Sequence, residues 1–135
     1  MKRVLVVDDS RSARMIFIRC LKIVGFSEAE FIEAGDGQEA IEAIESVGPV
    51  DLAIIDLNMP TMDGFTLLRR IKSDARCGHL PVVVASSLIN DAVRRRLREE
   101  GAHAVVEKPI SPISLKAALA GIDGGDADAA DDATR

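Results

Sequence analysis

Short uninterrupted apolar runs alternate along this chain with longer stretches of helical periodicity. Val4–Val7, Leu52–Ile55 and Val82–Ala85 are such runs, and Ala104–Val106 is a shorter one. Each reads as a strand covered on both faces. Glu28–Ala34 alternates enough to be a further strand. Between the first two, Ala13, Phe17, Cys20, Leu21 and Val24 repeat at helical spacing until Gly25 stops the pattern. This predicts a helix over about 11–24, with Met15, Ile16 and Ile18 off its inner stripe. Gly35-Asp36-Gly37 turns into a second helix with Ala40, Ile41, Ile44 and Val47 inward, closed by Gly48-Pro49. A third helix, about 65–73, is expected to bury Leu68 and Ile71. A fourth, about 90–100, should bury Val93 and Leu97 and turn Arg94, Arg95 and Arg98 outward. The fifth has the clearest start: Ser111 suits an N-cap and Pro112 the first helical position, with Leu115, Ala118, Leu119 and Ile122 inward.

Five β-α repeats predict an α/β fold, a parallel sheet with right-handed crossovers and helices on both faces. In such sheets the ligand site lies beyond the carboxyl ends of the strands. Chemistry gathers at those ends here. Asp8-Asp9 closes the first run, Asp56 the third, Ser86-Ser87 the fourth and Lys108-Pro109 the last. Asp56 also opens a turn, Leu57-Asn58-Met59-Pro60-Thr61-Met62-Asp63-Gly64, which puts its carboxylate in reach of ligands.

At 135 residues the chain fits one domain, able to bury roughly two thirds of its unfolded surface without metal or disulfide. Its two cysteines lack zinc-site spacing: Cys20 falls on a helical stripe and Cys77 in a polar loop. With no charged-then-apolar leader and no apolar run near the ~20 residues of a membrane span, a reduced cytoplasm is expected. After Ile122 the composition collapses to Gly, Ala and Asp, so 1–122 reads as the domain and 123–135 as a disordered acidic tail. The tail holds five aspartates and one arginine, which leaves 16 basic and 17 acidic residues before it. That near-neutral balance, without Trp or Tyr, argues against nucleic-acid binding. His79 and His103 stand alone and are assigned no chemistry.

Three carboxylates converging on one spot repel, and a cation removes that cost. A hard, oxygen-preferring ion such as Mg²⁺ suits them, since it needs only one or two protein carboxylates and keeps water and phosphate oxygens as other ligands. A carboxylate can itself attack a phosphoryl group and form an aspartyl phosphate. The ion, a lysine and a hydroxyl would offset charge on the transferred oxygens. Asp56 is the best-placed acceptor.

With Asp8-Asp9, Asp56 followed by Met59-Pro60 and Asp63-Gly64, Ser86, and Lys108-Pro109, residues 3–122 resemble the receiver domain of two-component response regulators. The closest likeness is to the stand-alone, CheY-like receivers. The resemblance implies a flavodoxin-like (βα)5 fold with strand order 2-1-3-4-5. It implies that Asp56 accepts phosphate from a histidine kinase or histidine phosphotransfer protein. Asp9, Asp56 and the Asn58 backbone carbonyl would ligate Mg²⁺, with Asp8 acting mostly through water. Ser86 and Lys108 would bind phosphoryl oxygens, Ser87 would offer its backbone, and the Lys108–Pro109 bond would be cis. Such a protein has no external substrate. It switches the binding of a downstream protein partner, as a monomer or a phosphorylation-dependent dimer.

Two positions depart from the family pattern. Val105 stands where a switch Tyr or Phe is usual, and Glu107 where an apolar residue is usual. The resting and loaded surfaces are therefore expected to differ less than in most receivers. Ile16 is a candidate for docking the kinase's helical bundle, and Arg94, Arg95 and Arg98 for meeting an acidic partner or the acidic tail. The rival readings are a phosphate sink or phosphorelay intermediate, a Mg²⁺-dependent phosphatase with an aspartyl-phosphate intermediate, and an adaptor that works unphosphorylated.

Overall fold

The computed structural model describes residues 2–59 and 62–122. Pro60, Thr61 and the acidic tail of the sequence reading lie outside the described residues. Strands and helices alternate throughout: β1 (Arg3–Val7), α1 (Arg11–Ile23), β2 (Glu30–Ala34), α2 (Gly37–Val47), β3 (Leu52–Asp56), α3 (Gly64–Ser73), β4 (Val82–Ser86), α4 (Asp91–Glu99), β5 (Ala104–Glu107) and α5 (Pro112–Ala118). All pairings are parallel and the strand order is β2-β1-β3-β4-β5, the flavodoxin-like arrangement.

The central strands are apolar on both faces because both faces are covered. Alternate residues feed two separate cores, as the two-residue period of a strand requires. Leu5, Val7, Ala53, Ile55, Val82, Val84 and Val105 meet α2, α3 and α4 on one face. Val4, Val6, Leu52, Ile54, Val83, Ala85, Ala104 and Val106 meet α1 and α5 on the other. β2 is an edge strand, and Glu30 and Glu33 on it are exposed.

The loops at the carboxyl edge of the sheet are short and tied down. Every helix opens on a side chain that accepts a backbone N–H of its first turn: Ser10 from Ala13, Asp36 from Glu39, Asp63 from Thr66, Asn90 from Val93 and Ser111 from Ser114. Each such cap stabilises its helix by about 1 kcal/mol. Gly64 lets α3 begin against the end of β3, since a Cβ there would stand 2.6 Å from Leu57 Cα and 2.7 Å from the Asp56 carbonyl oxygen.

Three expectations need correction. Cys77 does lie in the loop between α3 and β4, but its side chain turns inward: its Sγ is 3.5 Å from the Ile71 carbonyl and it packs in the α2–α4 core. Ile18 is partly buried against the α1–α5 core, because that stripe is wider than the i, i+4, i+7 pattern drawn for it. The last helix ends at Ala118, and Ile122 reaches the same core from the turn that follows.

Candidate functional site

Asp8, Asp56, Ser86 and Lys108 come together at the carboxyl edge because four neighbouring strands end side by side. Asp8 follows β1 and donates its backbone N–H to the Ala34 carbonyl at 3.1 Å. Its side chain is almost wholly buried, at 1% exposure. There Oδ1 accepts from the Ser10 N–H at 2.9 Å and Oδ2 from Lys108 Nζ at 2.7 Å. Asp56 is the last residue of β3, also buried, with Oδ1 3.3 Å from the same ammonium. Asp9 is exposed, yet it offers a carboxylate oxygen that lies, with one each from Asp8 and Asp56, in a group within 4.8 Å of one another.

The electrostatics follow from this crowding. Burial, then the charge of Asp8, pushes the Asp56 carboxyl above its ordinary value, while Lys108 and the backbone N–H of Asn58 pull against them. Burial alone would depress Lys108. The hydrogen bond to Asp8 and the charges of Asp56 and Asp8 outweigh it and hold the ammonium above its usual value. The lysine also sits 5.9 Å from the centre of the buried Phe17 ring on α1, and its bond to Pro109 is cis. Ser86 is fully buried at the end of β4, where its Oγ accepts from the Leu88 N–H at 3.2 Å and from Asn58 Nδ2 at 3.4 Å. Ser87 follows it and is exposed.

This donor set suits a hard divalent cation. It is all oxygen and all carboxylate, without the imidazole or thiolate that zinc prefers. Three acids against one lysine leave negative charge for a metal to neutralise.

The outlying candidates separate. Ile16 and Met15 are more than half exposed on α1, and Ile23 joins them two turns on. Arg95 and Arg98 are exposed on α4, but Arg94 is not turned outward as expected. It lies half-buried and donates Nη1 to the Val105 carbonyl at 3.1 Å, tying α4 to β5. Arg96 instead covers the Phe65 ring, 4.3 Å from its centre. Val105 is buried and Glu107 exposed. Asp63 caps α3 and takes no part in the acidic cluster. Arg14 was missed by the sequence reading. It donates Nη1 to the Asp8 carbonyl at 2.7 Å and Nε to Glu33 at 2.8 Å. A lone arginine near a helix start carries no signal for such a contact.

A five-stranded sheet of this order, with buried acids and a lysine at its carboxyl edge, defines a class of doubly wound α/β domains rather than one protein. Comparison narrows the class. The family model of the response regulator receiver domain matches residues 4–120. The chain is 35% identical over 117 residues to the chemotaxis protein CheY of Pseudomonas aeruginosa, covering 84% of this chain and 90% of that protein. It is 40% identical over 106 residues, 78% of this chain, to a gliding motility regulatory protein of Myxococcus xanthus, of which it spans only 13%. The solved chemotaxis protein CheY4 of Vibrio cholerae superposes with a TM-score of 0.78 at 28% identity, over 88% of this chain and 96% of that one. The chain belongs to the response regulator receiver family.

Proposed function

We propose that this chain is a response regulator receiver whose Asp56 accepts a phosphoryl group from a histidine kinase or histidine phosphotransfer protein. One observation carries the reading. Lys108 bridges Asp8 and Asp56 while three carboxylate oxygens converge within 4.8 Å beside a buried serine hydroxyl. In the transfer, an Asp56 oxygen forms a bond to phosphorus as the P–N bond of a phosphohistidine breaks, its electron pair returning to the imidazole. Asp8, Asp9, Asp56 and the Asn58 carbonyl would hold Mg²⁺. Bound there, the ion offsets the mutual repulsion of the acids and the charge on the transferred oxygens. Lys108 exchanges its contact with Asp56 for a phosphoryl oxygen, and Ser86 and the Ser87 backbone take others. The domain spans 1–122.

Intact mass after incubation with acetyl phosphate, with Mg²⁺ or with EDTA, tests this for the wild type and Asp56→Asn. A Mg²⁺-dependent gain of one phosphoryl group, lost in the variant, is expected. No gain either from acetyl phosphate or from a phosphorylated histidine phosphotransfer domain would overturn it. Ile16, exposed on α1, would dock the kinase's helical bundle, and Ile16→Asp should then slow transfer from the kinase but not from acetyl phosphate. Arg95 and Arg98, exposed on α4, would meet an acidic partner or the acidic tail.

Val105 favours a second reading, a phosphate sink or phosphorelay intermediate. With an apolar side chain packed at the usual switch position, loading has no aromatic to turn. Rapid return of phosphate to a histidine donor, with no partner selected by the loaded form, would single it out.

A further inference from the structure

Arg14 is a second cation beside the acidic pocket, and its contact there is with backbone. Its side chain is mostly covered, with 17% exposed, and its guanidinium is shared between two elements. Nε is held by Glu33 of β2 at 2.8 Å, and Nη1 donates to the Asp8 carbonyl at 2.7 Å. That carbonyl belongs to the Asp8–Asp9 peptide.

The two neighbouring carboxylates differ in how they are held. Asp8 is fixed through both side-chain oxygens, by Ser10 and Lys108. Asp9 is exposed, and among the described residues no hydrogen bond or ion pair reaches its carboxylate. Its direction is set by the backbone from which it projects. A peptide group is planar, so pinning its oxygen fixes the plane that leads into the Asp9 Cα.

We propose that Arg14, itself anchored by Glu33, is a positioning residue that locks the Asp8–Asp9 peptide and so aims the Asp9 carboxylate at the cation site. This rests on the reading of Asp8, Asp9 and Asp56 as a divalent-cation site. The sign of the effect is diagnostic. A guanidinium close to a cation site repels the cation, so if only its charge mattered, removing it would tighten binding. A positioning residue does the opposite, because loss of the groups that orient a ligand commonly weakens metal affinity by about tenfold or more.

The test is Mn²⁺ binding to the unphosphorylated full chain, read from the resonance of the free ion, with Mg²⁺ affinity by competition. Wild type, Arg14→Gln, Arg14→Lys and Asp9→Asn are titrated well below their melting temperatures. Arg14→Gln is expected to weaken Mn²⁺ binding about tenfold. Arg14→Lys should recover little, since an ammonium keeps the charge but not the fork that spans Glu33 and the peptide. In the Asp9→Asn background the Arg14→Gln change should have no further effect, because its influence runs through Asp9. Unchanged or tighter binding in Arg14→Gln, full recovery in Arg14→Lys, or additivity with Asp9→Asn would each overturn the inference. If the wild type binds no Mn²⁺, the cation-site reading falls and this inference with it.

Discussion

Among the described residues, Lys108 is the one side chain that touches both buried acids at once. Replacing it with Met leaves Asp8 and Asp56 facing each other without a counter-charge. The expected loss is about 2 kcal/mol near pH 7, less than for a fully buried pair because the lysine is a quarter exposed. Urea unfolding measures it. Asp56→Asn should act the other way. Its folded-state value lies above the ordinary one, so ionised Asp56 works against the fold. Between the two values the folded state binds more protons than the unfolded, and stability falls as pH rises through that window. Asp56→Asn should therefore melt a few degrees above the wild type at pH 7. The gap should close below the ordinary carboxylate range, where both states hold the proton. These acids, Ser86 and Lys108 were legible from sequence because each ends an apolar run, and a strand end has one known place in a parallel sheet. Arg14 and Arg94 were not, because an arginine that snorkels to a distant carbonyl is written like one that faces water.

At the scale of elements, sequence reading found all ten, and the errors fall where burial and periodicity part company. Cys77 sits in an irregular segment with polar neighbours, yet thiols are among the most buried groups in proteins. β2 starts at Glu30 rather than Glu28, as an edge strand with weak alternation allows. Two substitutions probe the junctions. Gly64→Ala forces a methyl against the Leu57 backbone and the Asp56 carbonyl, neither of which can give way. A loss of about 2–3 kcal/mol in thermal or urea unfolding is expected. Arg94→Ala should lose about 1 kcal/mol by leaving the Val105 carbonyl unpaired, whereas Arg95→Ala and Arg98→Ala should stay within about 0.5 kcal/mol. Loss of partner affinity in the last two without loss of stability would mark them as contact residues.

For the whole molecule, the alternation of elements was enough for the fold class, and the strand order followed from the family likeness rather than from periodicity. No residue pattern alone says that β1 lies between β2 and β3. The arrangement makes the site a product of distant parts: Lys108 and Asp8 are separated by 100 residues. Contacts of that span form late, since the loop they close carries the greatest entropy cost. Chain order therefore sets a sequence of events during synthesis. Both buried acids, one just after β1 and one ending β3, are made well before the lysine that compensates them. Until β5 docks, drawing β1 and β3 together brings like charges into a dry place, and a chain cut off at residue 103 should show no cooperative unfolding. The final strand thus serves as a checkpoint on completeness, closing the fold only once the chain that can make the site has all been made.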